Sequence, residues 1–247
     1  MKLRVVIVGV CAMVLAAQQE RLAELVSRLQ QHESQHEYAQ AIADYDQILK
    51  LKPRWADGYN RRGAEHFKMA HIRESLEDFD RAIALDPSQA PYNWQRGISL
   101  YYAGRYEEGR KQFELHQTVN GNDVENAAWR YLCMARAGTV ASARASILPI
   151  QQDGRVPMMQ IYALYRGKAS VEDVLAAAKA GDPPADVLRE RLFYAHLYVG
   201  LYYEAAGDAK AAREYIAKAA GDAVDHYMGD VARVHMLVQF GKNKRTS

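Results

Sequence analysis

Small, aromatic and proline residues recur along the first half of this chain at a spacing of 34 residues. Gly63 returns as Gly97, and Phe79 returns as Phe113. The intervals are filled by residues that favour helices, and few stretches resemble strands. Further members of the register are Tyr45, the set Tyr38, Ile72 and Tyr106, the set Ala41, Ser75 and Gly109, and the pair Pro53 and Pro87.

This period and order of residue types are those of the tetratricopeptide repeat, a helix–turn–helix unit. The sequence therefore predicts an all-α fold, a right-handed superhelical solenoid of stacked hairpins. Small residues such as Gly63 and Gly97 would mark the points where two helices cross closely. A solenoid of this kind presents a concave surface to a partner.

The register places successive helices along the chain. The first three repeats are predicted at 21–50, 55–86 and 90–120, and less regular helices at 124–137, 142–150, 158–165 and 171–180. A break follows at 181–184. The spacing then returns, because Gly200 and Ala212 lie 12 residues apart, as do Gly63 and Ser75. Residues 224–240 would cap the stack and shield its last apolar face.

The N-terminus has the pattern of a secretory signal peptide. Lys2 and Arg4 precede an apolar run at 5–15, and the small residues Ala16 and Ala17 follow it. That run is too short to span a bilayer comfortably. We predict cleavage near Ala17 and export to the periplasm or an equivalent compartment; a retained N-terminal anchor is the alternative. The predicted segments are thus 1–17 (signal peptide), 18–121 (three repeats), 122–181 (degenerate repeats) and 182–247 (a repeat and its cap).

Charge and cysteine content exclude several classes of function. Loss of Lys2 and Arg4 would lower Lys plus Arg from 32 to 30, which equals the 30 Asp plus Glu. A formally neutral chain argues against nucleic acid or an anionic membrane as partner. Only Cys133 would remain, so neither an internal disulfide nor a cysteine-based zinc site is expected.

One short motif points to metal chemistry. His32, Glu33 and His36 form H-E-x-x-H, in which two histidines on one helical face could bind zinc with the glutamate as base. The repeat register opposes this interpretation, because His36 falls at the turn of the first hairpin. No later motif supplies an obvious third ligand. We therefore predict no metal and no cofactor, and a zinc metalloprotease remains the less favoured alternative.

The concave face is the predicted binding site. Aromatic side chains exposed there would anchor a partner, and the alternative is that they pack between helices. The candidate groove residues, read from the repeat register, are Asn60, Phe67, Lys68, Trp94, Tyr101 and Tyr102.

Four stretches, in order, resemble the NlpI-like family of bacterial envelope adaptors. They read RGISLYYAGR at 96–105, WRYL at 129–132, YRGKAS at 165–170 and YVGLYY at 198–203, and Gly207-Asp208 closes the series. The resemblance implies a non-enzymatic scaffold, often dimeric, that presents cell-wall hydrolases or a protease to one another. NlpI is a lipoprotein, and this chain lacks the lipobox, since Val8-Gly9-Val10 precede Cys11.

Together these features predict a protein-binding scaffold of the cell envelope and not an enzyme. Its expected partners are proteins, with envelope hydrolases or a protease as candidates and a homodimer as a further alternative. Neither nucleic acid nor a small-molecule substrate is expected. A self-assembling structural spacer is the remaining interpretation.

Overall fold

The computed structural model describes residues 2–222 and 224–241, with side chains from residue 16 onward. It confirms the all-α fold class, because the described residues contain helices and no strand. The helices are α1 (Lys2–Ser34), α2 (Tyr38–Leu51), α3 (Ala56–Lys68), α4 (Ile72–Leu85), α5 (Trp94–Tyr102), α6 (Tyr106–Gln117), α7 (Val124–Ala137), α8 (Val140–Ala145), α9 (Met158–Tyr165), α10 (Val171–Lys179), α11 (Ala185–Ala205), α12 (Ala209–Gly221) and α13 (Tyr227–His235). A 3-10 helix, Pro87–Tyr92, precedes α5, and a π-helical turn, Met236–Phe240, follows α13.

Helices α1 to α12 form consecutive hairpins that stack on one another. Within the hairpins, α1 packs on α2, α3 on α4, and α5 on α6, and the pairing continues to α11 and α12. Between hairpins, α2 contacts α3, α4 contacts α5, and α6 contacts α7. This is the tetratricopeptide arrangement that the 34-residue spacing predicts.

One predicted helix is shorter than expected. The sequence predicts a helix over 142–150, whereas α8 ends at Ala145. Pro149 cannot donate to a helical hydrogen bond and disfavours the helical conformation in the residue before it. The side chain of Thr139 caps the N-terminus of α8, because its hydroxyl accepts a hydrogen bond from the Ser142 amide at 3.1 Å.

The turns inside the first three hairpins share one backbone conformation. His36, Ala70 and Gly104 are each 34 residues apart and have φ angles of 55°, 58° and 75°. In the third turn, the Arg105 amide donates to the Leu100 carbonyl at 2.9 Å, and the same bond recurs in the other two. This left-handed residue closes the helix end and reverses the chain. The repeat therefore specifies the turns as well as the helices.

The glycines in the register lie where helices cross closely. A Cβ atom on Gly97 would lie 2.6 Å from the Phe113 ring, and one on Gly200 would lie 2.7 Å from the Ile216 side chain. A Cβ atom on Gly63 would lie 3.1 Å from a backbone oxygen of α4. The prediction that Gly63, Gly97 and Gly200 mark helix crossings is confirmed.

A series of arginines with the same 34-residue spacing joins the two helices in each of the first four hairpins. These residues are Arg28, Arg62, Arg96 and Arg130, and each guanidinium donates to the residue 16 positions later. The acceptors in chain order are Asp44, Asp78, Gln112 and the backbone carbonyl of Ser146. The register thus extends through α7 and α8, into the region where the sequence predicts degenerate repeats.

The same arginines also reach back to the preceding hairpin. The acceptors, each 16 positions before its arginine, are Asp46 for Arg62, Asp80 for Arg96 and Glu114 for Arg130. A planar guanidinium can bond two carboxylates at once because it carries five N–H groups in a fixed plane. We call this series the arginine ladder. It links neighbouring hairpins through charge as well as through apolar packing.

The C-terminal segment does more than cap the last hairpin. Helix α13 and the π-helical turn contact α12, as the capping prediction requires. Helix α13 also lies against α3, which belongs to the second hairpin. Helix α13 therefore lies on the concave side of the stack and connects the last hairpin with the second.

The segment predicted as a signal peptide forms the first part of α1, which runs without a break from Lys2 to Ser34. Residues 16–20 are exposed, and the first apolar cluster takes its α1 members from Leu22 onward. Within the part of the chain that the structure describes, no helix is both long and apolar enough to cross a membrane. Cleavage near Ala17 stays a prediction, as does the proposed division into segments.

Candidate functional site

Helix α13 covers most of the predicted aromatic groove. Phe67 and Tyr101 are fully buried, and Tyr102 is 9% exposed. Trp94 is half-buried. The alternative of packing between helices therefore describes Phe67, Tyr101 and Tyr102 in this conformation. Helix α13 contacts Phe67 and Tyr102, whereas the Tyr101 hydroxyl donates to Glu204 of α11. A role for them in partner binding stays a prediction.

Aromatic contacts hold α13 against α3 and α5. The ring of Tyr227 stacks on Phe67 with 5.3 Å between centroids, and Trp94 meets Tyr227 edge-on at 5.2 Å. The Tyr102 hydroxyl lies 2.9 Å from Nδ1 of His235. Offset and edge-on aromatic pairs of this kind add about 0.5–1.5 kcal/mol each to the burial of their area.

Polar contacts fix the other side of α13. The Tyr38 hydroxyl donates to Asp230 at 2.9 Å, and Arg233 donates to the Lys68 carbonyl at 2.6 Å. Burial and the neighbouring Asp230 raise the pKa of Tyr38 to about 12. The Lys68 ammonium pairs with Glu65 at 2.7 Å. Lys68 thus supports the docking of α13 through its backbone.

The remaining predicted groove residue, Asn60, has a structural contact. Its Oδ1 accepts a hydrogen bond from the Asn93 side chain at 2.7 Å. Asn93 in turn caps α5, because its Oδ1 accepts from the Arg96 amide at 3.1 Å. Asn60 therefore orients the first residue of the next hairpin.

A cavity of about 330 Å³ remains beside α13 on the concave side. Its aromatic lining includes Trp94 from α5, Phe113 from α6, Trp129 from α7, Tyr194 from α11 and Tyr227 from α13. We call it the concave cavity. Its size and mixed lining are those of a site that receives one or two side chains of a ligand.

One end of the concave cavity carries a cluster of charges around Arg155. The Arg155 guanidinium bonds Asp123 at 2.7 Å, Glu125 at 2.5 Å and Asp153 at 2.6 Å. The Tyr198 hydroxyl also donates to Glu125, at 2.6 Å. Asp123 caps the start of α7 and Glu125 lies in its first turn, while Arg155 comes from the loop before α9.

Burial and pairing oppose each other in this cluster. Burial raises the pKa of Glu125, although Arg155 and the Tyr198 hydroxyl act in the opposite direction. Burial alone would lower the pKa of Arg155, but its carboxylate partners raise it far above the usual value. Arg155 therefore stays charged, and each of its three guanidinium nitrogens donates to a carboxylate.

Several polar atoms of the cavity lining have no partner among the described residues. They are Nε1 of Trp129, Oδ1 of Asn126, Nε2 of His226 and the hydroxyl of Tyr227. Trp129 is 2% exposed and Asn126 is 3% exposed. A buried polar group without a hydrogen bond costs about 1–3 kcal/mol. A ligand that bonded these atoms would recover part of that cost.

Of the residues that line the concave cavity, only Trp94 was predicted from the sequence as a site residue. Trp129 belongs to the WRYL stretch at 129–132, and Tyr194 lies one helical turn before the Tyr198-Val199-Gly200 stretch. Glu125 and Arg155 are 30 positions apart, and the 34-residue register does not relate them. Only the folding of the loop before α9 brings them together.

The H-E-x-x-H motif does not lie on one helix. Helix α1 ends at Ser34, and His36 follows in a left-handed conformation, as the register predicts. His32 Nδ1 lies 2.8 Å from Asp44, whereas His36 Nε2 lies 3.2 Å from Asp225. Among the residues with described side chains, no cluster of three or more His, Cys, Asp or Glu could hold a metal ion.

His235 is a buried imidazole at the contact between α13 and the stack. Its Nδ1 lies near Tyr102, and Glu204 lies 3.4 Å from its Nε2. Burial, with a smaller contribution from Arg136, lowers the pKa of His235 to about 3. Burial also raises the pKa of Glu204. The imidazole is therefore neutral in the folded protein at neutral pH.

Mild acid is expected to destabilise the fold through His235. The unfolded chain takes up this proton near the ordinary histidine pKa of about 6.5, whereas the folded chain does so only near 3. The contribution of His235 to the free energy of unfolding is thus fully present above about pH 6.5. It is lost as pH falls towards 3, by about 1 kcal/mol per pH unit. Urea unfolding between about pH 7 and 5 measures it. A His235→Gln variant should lose less stability over that interval, and equal losses in both proteins would contradict the assignment.

No protein-family model matches the chain. Three solved structures are similar to it over most of their length. YrrB, "a TPR protein with an unusual peptide-binding site", is 18% identical over 85% of this chain and 90% of that one, with a TM-score of 0.45. MamA is 14% identical over 81% and 91%, with a TM-score of 0.47. PilW, a "widely conserved type IV pilus biogenesis factor", is 16% identical over 85% and 97%, with a TM-score of 0.48. Conclusions about this chain rest on its own repeats and residues.

Proposed function

We propose that this protein is a non-enzymatic scaffold that binds a segment of a partner protein at the concave cavity. The observation that carries the proposal is the cavity itself, which combines aromatic walls with buried polar atoms that have no partner in the part of the chain that the structure describes. Stacked repeats commonly bind partners on their concave side. Aromatic side chains are also the commonest energetic anchors of protein interfaces.

We further propose that this scaffold is an adaptor of the cell envelope, as the resemblance to the NlpI-like family implies. The stretches that carry the resemblance lie together in space. Tyr101 packs edge-on against Trp129 at 5.4 Å, and Tyr131 packs against Tyr165 at 4.9 Å. The Tyr165 hydroxyl then donates to the Tyr198 carbonyl at 2.9 Å. The resemblance therefore covers one continuous part of the core behind the concave cavity.

Within this proposal, the N-terminal segment directs export, and the partners are envelope hydrolases or a protease. Self-association as a homodimer belongs to the same hypothesis. The zinc metalloprotease alternative has no support in the geometry of His32 and His36, which are held by Asp44 and Asp225 on different elements.

Site-specific photo-cross-linking in the source organism tests the proposal. A benzoylphenylalanine in place of Tyr194 would line the concave cavity, whereas one in place of Tyr92 would lie on an exposed surface outside it. We expect a discrete set of adducts from position 194 that Trp94→Ala removes, without loss of helical content. The same adducts from both positions, or none from position 194, would contradict the proposal.

A further inference from the structure

We propose that the concave cavity binds a cationic group, namely the guanidinium or ammonium of an Arg or Lys side chain on the partner segment. This inference rests on the proposed function, since it names the chemistry that the scaffold recognises. It also follows from three properties of the cavity that are independent of one another: its charge balance, its aromatic lining and its unpartnered polar atoms.

The charge balance at the cavity favours a second cation. Three carboxylates, Asp123, Glu125 and Asp153, surround the single guanidinium of Arg155. Among the described residues, Arg155 is their only ionic partner. The cluster therefore has a formal excess of two negative charges, which attracts a cation into a region of low dielectric.

The aromatic lining suits a cation better than it suits an anion. The faces of tryptophan and tyrosine rings are electron-rich and attract a guanidinium or ammonium within about 6 Å of the ring centre. Trp94, Trp129, Tyr194 and Tyr227 all line the concave cavity. A basic side chain could place its apolar stem along the same rings.

The unpartnered atoms complement the cationic group and the backbone carbonyl of a basic residue. The Asn126 amide donates to Phe113 and Gln117, which leaves Oδ1 without a donor. A guanidinium or ammonium N–H that reached this buried oxygen would supply the donor. The indole N–H of Trp129 needs an acceptor, and the backbone carbonyl of the same ligand residue would supply it on reaching the indole.

Other ligand classes fit the cavity less well. An anion would find no free positive charge, because Arg155 already bonds three carboxylates, and burial lowers the pKa of His226 and keeps it neutral. A purely apolar side chain would leave the carboxylates and the Asn126 oxygen desolvated without partners, which is unfavourable. A cation satisfies both sets of groups.

The three tryptophans of the full chain provide the test. Their indole N–H signals can be followed by ¹H–¹⁵N NMR, and Trp55, which packs near Tyr45 in the first hairpin, reports on unspecific effects. The probes are the N-acetyl methylamides of arginine, lysine and citrulline, added up to about 20 mM because single residues bind weakly. Citrulline has the shape of arginine without its charge.

We expect the Trp94 and Trp129 signals to move in a saturable way with arginine or lysine, while Trp55 does not move. Citrulline should bind about tenfold more weakly. Glu125→Gln should weaken arginine binding several-fold, and Glu77→Gln, on the exposed side of α4, should not. The citrulline comparison needs no variant, so it holds even if Glu125→Gln folds poorly. Equal shifts with arginine and citrulline, or none at Trp94 and Trp129, would overturn the inference.

Three further outcomes bear on the ligand class and on the separation of this inference from the proposed function. Binding of tetramethylammonium more tightly than the arginine derivative would overturn the assignment to a protein side chain. Cross-linking from position 194 without any binding of the cationic probes would leave the scaffold function standing and overturn the cationic ligand. Binding of the probes without cross-linking would support the cationic ligand and contradict the scaffold function.

Discussion

Replacing Gly200 with valine is expected to lower the free energy of unfolding by about 3 kcal/mol. A Cβ atom at this position would lie 2.7 Å from the Ile216 side chain and 3.0 Å from its backbone nitrogen. The side chain of Ile216 could shift, but the backbone of α12 could move only together with its helix. The substitution would therefore force α11 and α12 apart and open the core between them.

Urea unfolding followed by circular dichroism measures this loss, and Gly221→Ala is the matched control. Gly221 is the last residue of α12, and a Cβ atom there would meet nothing within 4 Å. We expect the control to change stability by no more than about 0.5 kcal/mol, in either direction. A Gly200→Val protein as stable as the wild type would show that α11 and α12 do not cross closely at this glycine.

Replacing Arg62 with alanine is expected to cost about 3 kcal/mol, because it breaks the arginine ladder between the first and second hairpins. The guanidinium donates to both oxygens of Asp78, at 2.7 and 2.6 Å, and to Asp46 at 2.5 Å. Asp78 is buried, so its carboxylate would be left without its charge partner. Arg62→Lys should recover only part of the loss, since an ammonium cannot bond both oxygens in a plane.

The neighbouring Arg61 provides the control for the ladder. It pairs with Asp57 at 2.9 Å on the surface, and both side chains are about half exposed. Exposed pairs of this kind contribute little, so Arg61→Ala should cost about 0.5 kcal/mol or less. Adding Asp78→Ala to Arg62→Ala should restore part of the lost stability, because it removes the unpaired carboxylate. Equal costs for Arg61→Ala and Arg62→Ala would contradict the structural role of the ladder.

The fold could be predicted from the sequence because each repeat has similar residues at the positions that determine its helices and their crossings. Gly63 and Gly97 specify close crossings, and the bounds predicted for 124–137 and 158–165 agree with α7 and α9. The arginine ladder was readable in the same register at Arg28, Arg62, Arg96 and Arg130. The apolar, small and proline positions that define the repeat do not predict this ladder, because charged residues on helices usually face solvent.

The candidate site could not be predicted in the same way, because it depends on contacts that no period relates. The apolar pattern of 224–240 indicates burial, but it does not say which surface buries it. The structure places Tyr227 against Phe67 and Trp94, which are more than 130 positions earlier. The Arg155 cluster likewise depends on how the loop before α9 folds back to the start of α7. Repeat spacing carries no information about either contact.

The most direct test of this account is a nuclear Overhauser measurement on α13 in solution. The account holds that the C-terminal helix closes the concave face and leaves the concave cavity beside it. It predicts cross-peaks from the Tyr227 ring to both the Phe67 ring and the Trp94 indole, whose centres lie 5.3 and 5.2 Å away. Absence of both cross-peaks, together with a Tyr227 ring accessible to a soluble paramagnetic probe, would contradict it.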